Sequence, residues 1–544
     1  MVSEPSPSKP PAMAPVGARL GTRRLSLLLP PCVYAAAALY FALASAYSFH
    51  DFPLDDAWIH RVYSQSFAYG HGFQYNHGGP QEAGSTSPLW AIVTAPAHWL
   101  EPHGVQAVVL AVKAITLLLG CVALFAVVRI AQDVTGARTA GVIAGVLFAT
   151  DPLLLFSTLS GMENVLLVAV WLCGTRAYVA GQRRCSLAWF SLAPVCRPEA
   201  TILLPLWLVG LWGIERRQRP TAEDHCAWLA AFVPLAVWSL FCHMANGHWL
   251  PTTFYIKAMP FRLGLQELAR TWEILTLHGY ASLSVFVFGL AVLSGWAIAR
   301  RDAKALALWW YLVLAPLLYA IGVGGSRPVS RMGYYWTRWI DPASLILTAA
   351  FCVACGIMFA AARDGGRALI RRGPVGLTTA QWCLGGVGAV TACWLASVAP
   401  RFVESFANRR SQLASDARAI HLINVRAGEW IRDHTAADAR IAVNDAGAIR
   451  YVGDRWTLDL MGLNNAAIAF EQPGDRNGVD WLAVFPSWFA GSPMFQYFEA
   501  RQAFEIPLAE YTVCPCPGQT RIVIFQKTGA PAPADAPAQG AHAK

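Results

Sequence analysis

The sequence LSLLLPPCVYAAAALYFALASAY, from Leu25 to Tyr47, contains no charged residue and is soon followed by two adjacent carboxylates, Asp55 and Asp56. It meets the roughly 20 apolar residues that a helix needs to cross the hydrocarbon core of a bilayer. Arginines between residues 19 and 24 precede it, and basic clusters remain on the cytoplasmic side of a membrane. The N-terminus is therefore predicted to be cytoplasmic, with the acid pair on the outer side.

The composition of the whole chain also indicates a polytopic membrane protein. Of its 544 residues, 55% are hydrophobic and 14% are charged, and its mean hydropathy is +0.40, which is more apolar than soluble domains are. The net charge is +9, but the basic residues fall in short clusters between apolar runs, which indicates membrane topology rather than nucleic-acid binding. A cleaved signal peptide is the alternative interpretation of the first run, but no clear small-residue cleavage site precedes His50.

Apolar runs that alternate with basic clusters predict about eleven membrane crossings. The least regular run is 186–214, which Arg197, Pro198 and Glu199 interrupt, and we expect a tight pair of crossings there, one of them partial. An odd number of crossings places the C-terminus outside. The predicted spans are approximately 25–47, 104–130, 139–156, 164–180, 186–214, 226–245, 281–299, 305–323, 342–362 and 376–398.

The chain is predicted to divide into a membrane domain and a small C-terminal domain. The membrane domain covers residues 25–399 and includes a polar first loop at 48–90, while frequent charges and short apolar runs from 400 to 528 indicate a soluble α/β domain on the outer face. The predicted fold class is therefore mainly α and polytopic, with this α/β addition. Residues 1–24 and 529–544 are rich in Pro and Ala and are predicted to be disordered.

Two short β-like segments, Arg440–Asn444 and Arg521–Gln526, follow a helix-like stretch at Ala414–His434 in the C-terminal domain. The same domain holds Cys514 and Cys516, two of the 13 cysteines, with one proline between them. We expect a structural or incidental redox role for this pair, because no second pair of ligands stands at the spacing of a zinc site.

The first loop is the strongest candidate site, because it combines the acid pair with many Gly, His and Tyr residues. One carboxylate is enough to cap the helix that the following apolar stripe predicts, and an acid held close to another has a raised pKa and can serve as a general base. Catalysis by the pair is favoured over capping alone.

Glu82 and the following Ser85, Thr86, Ser87 and Pro88 mark the return of the first loop to the membrane. The hydroxyls there either cap the next helix or contact a sugar. His60, His71 and His77 lack the paired spacing on one helix face that zinc ligands show. No cofactor is therefore predicted, and a divalent metal is the less favoured alternative.

Several charged residues lie at the predicted outer ends of the spans. Charges at membrane depth are costly, and cations are disfavoured on the outer side. Guanidinium groups bind phosphate oxygens, so a phosphate at the interface is one explanation, while structural ion pairs or anchoring to lipid headgroups is the other. These candidate substrate-binding residues are Glu163, Arg197, Glu199, His248, Lys257, Arg327, Arg331 and Arg338.

Short motifs follow one another along the chain in a characteristic order. They are Asp55-Asp56-Ala57, Gly70-His71-Gly72, Thr86-Ser87-Pro88-Leu89-Trp90, Gly161-Met162-Glu163, Arg197-Pro198-Glu199, the segment from Gly247 to Lys257, Asn444–Tyr451 and Leu458–Asn464. Together they resemble the polyprenyl-phosphate-dependent glycosyltransferases of the GT-C superfamily, in particular the bacterial branch of cell-envelope arabinofuranosyltransferases. The resemblance covers about residues 25–525.

The resemblance implies a GT-C fold and an enzyme of the bacterial inner membrane that moves a sugar, with arabinofuranose as the first expectation, from a polyprenyl phosphate to an extracytoplasmic acceptor. One carboxylate of the first loop would deprotonate the acceptor hydroxyl, which attacks the anomeric carbon with inversion. Asp55 is the preferred base and Asp56 its orienting partner, and the reverse assignment stays open. Lys257, Arg327, Arg331 and Arg338 would stabilise the leaving phosphate. The implied partners are the lipid donor, a glycan, lipid or protein acceptor, and membrane lipids, without nucleic acid.

Two departures from the branch leave the acceptor open: Trp58-Ile59-His60 after the acids and Ser85-Thr86-Ser87 before the proline. The alternative in another class is a transporter or flippase of lipid-linked sugars, which needs charges through both leaflets and usually an internal repeat of broken helices. The polar motifs instead sit almost entirely at the predicted outer ends, and the sequence shows no such repeat. A scaffold for envelope polysaccharide would not need an acid pair at the membrane face.

Overall fold

The structure is a computed structural model in which helices pack into one large buried core and a small sheet lies near the C-terminus. Two of the sequence predictions, on Arg331 and on the pair Cys514 and Cys516, lie outside the described residues, as does the tail 529–544. The described residues are 16–214, 221–275, 283–300, 302–327, 329–330, 333–372, 379–471, 478–513 and 518–528.

The helices are numbered in chain order. Those of the first half are α1 (Val16–Ala42), α2 (Ala46–His50), α3 (Asp55–Ala68), α4 (Pro88–Thr94), α5 (Val105–Thr135), α6 (Arg138–Ala149), α7 (Pro152–Leu159), α8 (Asn164–Val179), α9 (Arg183–Ser191), α10 (Ala193–Cys196), α11 (Leu203–Ile214) and α12 (Ala222–Ala230). Those of the second half are α13 (Val233–Asn246), α14 (Thr252–Lys257), α15 (Leu265–Leu275), α16 (Leu283–Arg300), α17 (Ala303–Trp309), α18 (Ala315–Ser326), α19 (Tyr334–Thr337), α20 (Asp341–Arg372), α21 (Thr379–Ile420), α22 (Arg426–His434), α23 (Ala448–Gly453) and α24 (Ala466–Ala469).

The first helix differs from the prediction at its start. It begins at Val16, so residues 16–24 are helical, whereas the sequence predicts a disordered N-terminus up to residue 24. A basic segment can continue an apolar helix because Arg and Leu have similar helix propensities.

Several helices have the length and composition of membrane spans. Helices α6 and α7 are separated by a short break at which the chain bends by 58°, and the two together have the length of one further crossing. The chain is therefore a multi-pass membrane protein, but the predicted count of about eleven crossings is not confirmed, because other apolar helices are shorter than a full crossing. The four long apolar helices found in the described ranges are Val105–Thr135, Ala222–Asn246, Ala303–Ser326 and Asp341–Asp364.

The irregular run 186–214 is broken as its sequence suggests. Helices α9 and α10 precede Arg197, which has extended backbone angles, and a short 3-10 turn at Pro198–Ile202 leads into α11. Proline removes a backbone donor and disfavours helix in the residue before it. The break places Arg197 and Glu199 between two apolar helices instead of inside one.

The C-terminal domain, for which the sequence predicts residues 400–528, is built on a five-stranded mixed sheet of order β2-β1-β3-β5-β4. The two predicted β segments are confirmed as β1 and β5. Strand β1 pairs in parallel with β2 and β3, and β5 pairs antiparallel with β3 and β4. The strands are β1 (Arg440–Val443), β2 (Trp456–Asp459), β3 (Trp481–Val484), β4 (Phe498–Glu505) and β5 (Arg521–Lys527).

The C-terminal domain is attached by helix and by the first loop. Helix α21 leads directly into a π-helical turn at His421–Val425 and then into α22. From the first loop, the Tyr75 hydroxyl donates to the Ala446 carbonyl at 2.7 Å and the Asn76 amide donates to the Thr457 carbonyl at 2.9 Å. We call this contact between residues 48–90 and the C-terminal domain the domain interface.

Candidate functional site

The acid pair lies at the start of α3, which begins at Asp55 after the extended residue Leu54. Neither acid caps α3, because the cap position is occupied by Leu54. Both stand in its first turn, where negative charge is favourable beside the positive end of the helix dipole. Adjacent residues of a helix point about 100° apart, so the two carboxylates face different neighbours.

Asp55 faces the domain interface. Its Oδ2 accepts a hydrogen bond from the Gly447 N–H and its Oδ1 accepts one from the Ala448 N–H, both at 2.8 Å, so it satisfies the first donors of α23. Burial, and then the nearby Asp445 carboxyl, raise the pKa of Asp55 well above its ordinary value, while the two N–H donors act against that rise. The side chain therefore joins the first loop to the C-terminal domain.

Asp56 faces two cations of the membrane domain. Its Oδ1 lies 2.9 Å from Lys257 Nζ and its Oδ2 lies 3.1 Å from Arg338 Nη2. Burial opposes ionisation, but Arg338 and then Lys257 outweigh it and hold the pKa of Asp56 well below its ordinary value. We call Lys257 and Arg338 the cation pair.

The Arg338 guanidinium is held against aromatic rings. Its central carbon lies 4.2 Å from the ring centre of Tyr335 and 4.9 Å from that of Trp339, and the side chain is 3% exposed. Its Nη1 is buried with no hydrogen-bond partner among the described residues. The cation is fixed in place and keeps one donor for an oxygen that enters the site.

A group of contacts around the Glu163 carboxylate lies next to this site. Glu163 lies 3.3 Å from both Arg197 and His60, and His60 follows Asp56 by one turn of α3. Arg197 also donates to the backbone carbonyl of Arg338 at 3.1 Å. Glu163 and Arg197 therefore position the elements that carry Asp56 and Arg338.

The remaining predicted residues lie away from the acid pair or serve packing. Arg327 donates to Glu199 at 3.1 Å, and Glu199 also lies 3.8 Å from Arg197, so these three form one ion network. Glu82 is buried and accepts a hydrogen bond from the Ala466 N–H at 3.2 Å. Thr86 is partly exposed and makes no side-chain hydrogen bond to another described residue.

The predicted histidines lie at separate positions in the structure. His248 stacks on Phe470 with ring centres 3.9 Å apart, and His77 lies 3.6 Å from Asp454. His71 is exposed on the first loop. Within the described part of the chain, no three His, Cys, Asp or Glu side chains are arranged to hold a metal ion.

The structure adds two residues that the sequence analysis did not assign to the site, Asp445 and Asn424. The Asn424 amide donates to Asp445 Oδ2 at 2.8 Å and is 3.4 Å from Asp55 Oδ1. Asp445 lies in the motif Asn444–Tyr451, so the sequence could have indicated it as a candidate residue. Nothing in the sequence, however, places it beside residue 55. Asn424 lies in the π-helical turn, a feature frequent at functional sites.

The helical membrane domain and the small C-terminal domain form a GT-C fold, as the similarity to solved structures shows. Two solved structures of ArnT from Cupriavidus metallidurans share it at 14% sequence identity. The form bound to undecaprenyl phosphate has a TM-score of 0.55 over 91% of this chain and 97% of ArnT. The apo form has a TM-score of 0.56 over 93% of this chain and 98% of ArnT.

A second solved enzyme with a similar fold is the archaeal oligosaccharyltransferase AglB from Archaeoglobus fulgidus, in complex with an inhibitory peptide and a dolichol-phosphate. Its TM-score is 0.54 at 10% identity, over 93% of this chain and 75% of AglB. A family described as a domain of unknown function (DUF8728) matches residues 412–525, within the C-terminal domain. No curated protein matches the chain.

Proposed function

We propose that this protein is a membrane glycosyltransferase that moves a sugar from a polyprenyl phosphate to an extracytoplasmic acceptor. The observation that carries the proposal is the contact of Asp56 with the cation pair inside a GT-C fold. An acid held between two cations provides both groups that the reaction needs, a proton acceptor and a site for a leaving phosphate. ArnT with undecaprenyl phosphate and AglB with dolichol-phosphate lend support through their fold.

The cation pair is the proposed site of the donor phosphate. Lys257 and Arg338 lie within ion-pair distance of Asp56, and the buried Nη1 of Arg338 has no hydrogen-bond partner among the described residues. When a phosphate binds to both cations, its negative charge weakens their attraction for the Asp56 carboxylate. The pKa of Asp56 then rises toward its ordinary value. The donor thereby makes Asp56 a better proton acceptor at the moment when the acceptor is to be deprotonated.

The chemical step then follows from these roles. The acceptor hydroxyl gives its proton to Asp56, its oxygen forms a bond to the anomeric carbon, and the bond from that carbon to the phosphate oxygen breaks with inversion. The bond electrons leave with the phosphate, whose charge the cation pair stabilises. We thus assign the base to Asp56 rather than to Asp55, whose two oxygens accept backbone hydrogen bonds.

The finer assignments are also proposals. We infer an arabinofuranose-like sugar from the motifs, about eleven crossings in a bacterial inner membrane from the apolar runs, and a cytoplasmic N-terminus from the arginine cluster before α1. These place the acid pair and the C-terminal domain on the extracytoplasmic side. Membrane lipids and a glycan, lipid or protein acceptor complete the expected partners.

The test is sugar transfer by the purified protein in detergent, with radiolabelled polyprenyl-phosphate arabinofuranose, mannose and glucose as donors and octyl glycosides as acceptors. We expect transfer from at least one donor, and loss of that transfer in Asp56→Asn with the unfolding temperature kept within a few degrees of wild type. Binding of the donors without transfer or hydrolysis would instead support a transporter of lipid-linked sugars.

A further inference from the structure

A cavity of about 740 Å³ lies at the end of α8 that is remote from the acid pair. Helix α8 begins directly after Glu163 and is 16 residues long, which corresponds to about 24 Å at 1.5 Å per residue. The cavity is therefore separate from the proposed reaction centre. Its wall includes Tyr178 of α8, Gln182, Arg183 and Arg184 at the start of α9, Asp224 of α12 and Lys304 of α17.

Cations outnumber carboxylates in the wall of this cavity. Among the described residues that line it, Arg183, Arg184 and Lys304 are cations and Asp224 is the one carboxylate. Asp224 already accepts hydrogen bonds from the backbone N–H and the hydroxyl of the α12 cap residue, at 2.8 and 2.9 Å. Glu223 pairs with Arg184, whereas Lys304 makes no hydrogen bond or ion pair with another described residue. The cavity thus keeps a net positive charge.

The first turn of α9 strengthens this positive charge. Arg183 and Arg184 are its first two residues, and the side chain of Gln182 makes no capping hydrogen bond. The start of a helix carries the positive end of the helix dipole and N–H groups without helical acceptors, so anions are favourable there and cations are not. Two arginines at this position become favourable when an anion binds beside them.

A buried hydroxyl in the wall also has no partner. Tyr178 is 5% exposed, and its ring centre lies 5.0 Å from that of Tyr311. Its hydroxyl forms no hydrogen bond within the described part of the chain. Buried hydroxyl groups are nearly always hydrogen-bonded, and the oxygen of a bound anion is an acceptor that this donor can use.

One wall of the cavity belongs to a helix that borders the lipid. Asp224 lies in the apolar helix Ala222–Asn246, and only 17% of the most apolar stretch of that helix is buried, against at least 44% in each of the three other long apolar helices. Leu229, Val233 and Val237 follow one another at intervals of one turn and are each more than half exposed. This apolar surface suits the acyl chains of a lipid whose headgroup lies near Asp224.

We propose that the cavity binds the headgroup of an anionic phospholipid from the leaflet opposite the acid pair. The phosphodiester lies at the start of α9, where Arg183, Arg184 and Lys304 hold its oxygens, and the acyl chains lie along Ala222–Asn246. The volume is within the range of roughly 300–1,000 Å³ that ligand pockets have. The positive-inside rule explains cations at this end of the membrane domain, but it requires neither a cavity nor two arginines in the first turn of a helix.

The first test measures lipid binding to the delipidated full chain in dodecyl maltoside by native mass spectrometry. The probes are phosphatidylglycerol, cardiolipin and phosphatidylcholine. We expect at least one of the two anionic lipids to bind about tenfold more tightly than phosphatidylcholine, and the double variant Arg183→Gln/Lys304→Gln to lose that preference. Equal affinity for anionic and neutral lipid in wild type, or an unchanged preference in the double variant, would overturn the inference.

Two further variants locate the effect. Arg138→Gln/Arg363→Gln is the matched control, because it removes the same charge from two residues that do not line the cavity and that lie together at the start of α6. It should leave the lipid preference unchanged, and its loss there would show a general effect of charge. Lys257→Met, which alters the proposed donor site, should also retain the preference. If only Lys257→Met abolishes it, the phospholipid occupies the donor site and the inference fails.

Lys304→Gln alone is the second variant if the double variant does not fold, because Lys304 is exposed. It should weaken binding of the anionic lipid about threefold, and unchanged binding would reject the site. Inorganic phosphate distinguishes a lipid from a soluble ligand. Displacement of the phospholipid by millimolar phosphate would identify a site for soluble anions and overturn the proposal.

Thermal unfolding provides an independent measurement that needs no sugar transfer. A ligand that binds only the folded state raises the unfolding temperature. Saturating phosphatidylglycerol should raise it by about 3 °C or more in wild type and by less than about 1 °C in Arg183→Gln/Lys304→Gln. Equal shifts in both proteins would count against the cavity as the site. The result does not depend on the proposed function, which fails or succeeds with the transfer assay.

Discussion

Asp55 and Asp56 are adjacent in the chain, but they belong to two different regions of the molecule. Asp55 lies in the domain interface and accepts N–H donors from Gly447 and Ala448. Asp56 lies in the membrane domain between Lys257 and Arg338. Backbone amides hold Asp55 in a contact that joins two domains, whereas we propose that the side-chain cations that hold Asp56 also bind the phosphate of a substrate.

The largest expected effect comes from removing the charge of Asp56. Asp56→Asn should lower kcat/KM for transfer by about 10³-fold, because it removes the general base and the anion that orders the cation pair. Steady-state transfer with saturating donor measures this. Asp56→Glu, which keeps the charge, should recover part of the loss, and equal activity of Asp56→Asn and wild type would refute the assignment of the base.

Removing the Asp55 carboxylate should mainly lower the stability of the folded protein. Asp55→Ala leaves the Gly447 and Ala448 N–H groups without their acceptor, and we expect a loss of about 3 kcal/mol in the free energy of unfolding. Thermal unfolding followed by tryptophan fluorescence measures it. Activity should fall less than in Asp56→Asn, and a stable but inactive Asp55→Ala would reverse the two roles.

Gly447→Ala provides a matched perturbation from the opposite side of this contact. A Cβ at residue 447 would collide with the carbonyl and carboxylate oxygens of Asp55, although the φ of −95° suits any residue. The loss should resemble that of Asp55→Ala. Asp438→Asn serves as the control for a charge change elsewhere in the domain.

Neutralising one member of the cation pair should act mainly on the donor. Lys257→Met should lower kcat/KM for the lipid donor by about 10²-fold, because the leaving phosphate loses one stabilising charge. Donor binding measured by fluorescence quenching should weaken in parallel while acceptor binding stays within twofold. A normal donor affinity in Lys257→Met would remove Lys257 from the phosphate site.

The smallest expected effect concerns Glu82, another buried acid of the first loop, which like Asp55 accepts a backbone hydrogen bond from the C-terminal domain. Burial raises the pKa of Glu82 to about 7, against the hydrogen bond from the Ala466 N–H. Between its ordinary pKa of 4.5 and this value, the folded state binds more protons than the unfolded state, so stability falls as pH rises through this range. We expect about 1–2 kcal/mol of this dependence to vanish in Glu82→Gln, as measured by denaturant unfolding at pH 5 and pH 8.

The sequence alone could predict the elements that have local signals. The apolar runs, the helix that starts at the acid pair and the strands at Arg440 and Arg521 all follow from hydrophobic patterns. The motif order also predicted the GT-C fold, which the similarity to ArnT and AglB confirms. The number of crossings was harder to predict from the sequence, because charged residues and prolines shorten several apolar helices.

The roles of single residues depend on packing that the sequence does not display. The preference for Asp55 as the base came from its position in the motif, whereas its hydrogen bonds depend on amides of residues 447 and 448. Arg327 was grouped with phosphate ligands, yet the nearest carboxylate, Glu199, accepts from it. Asn424 could not be singled out, since its place beside two acids depends on a π-helical turn.

The hydrogen bond from Gly447 to Asp55 joins residues that are 392 positions apart. At about 5–20 residues per second, a ribosome needs about 20–80 s to make the chain between them. During that time the first loop has already been synthesised, and the Asp55 carboxylate lacks the N–H donors of residues 447 and 448. The domain interface is thus completed only when the C-terminal domain has been synthesised, so a truncated or stalled product contains Asp56 and the cation pair but lacks the contact that joins the first loop to that domain.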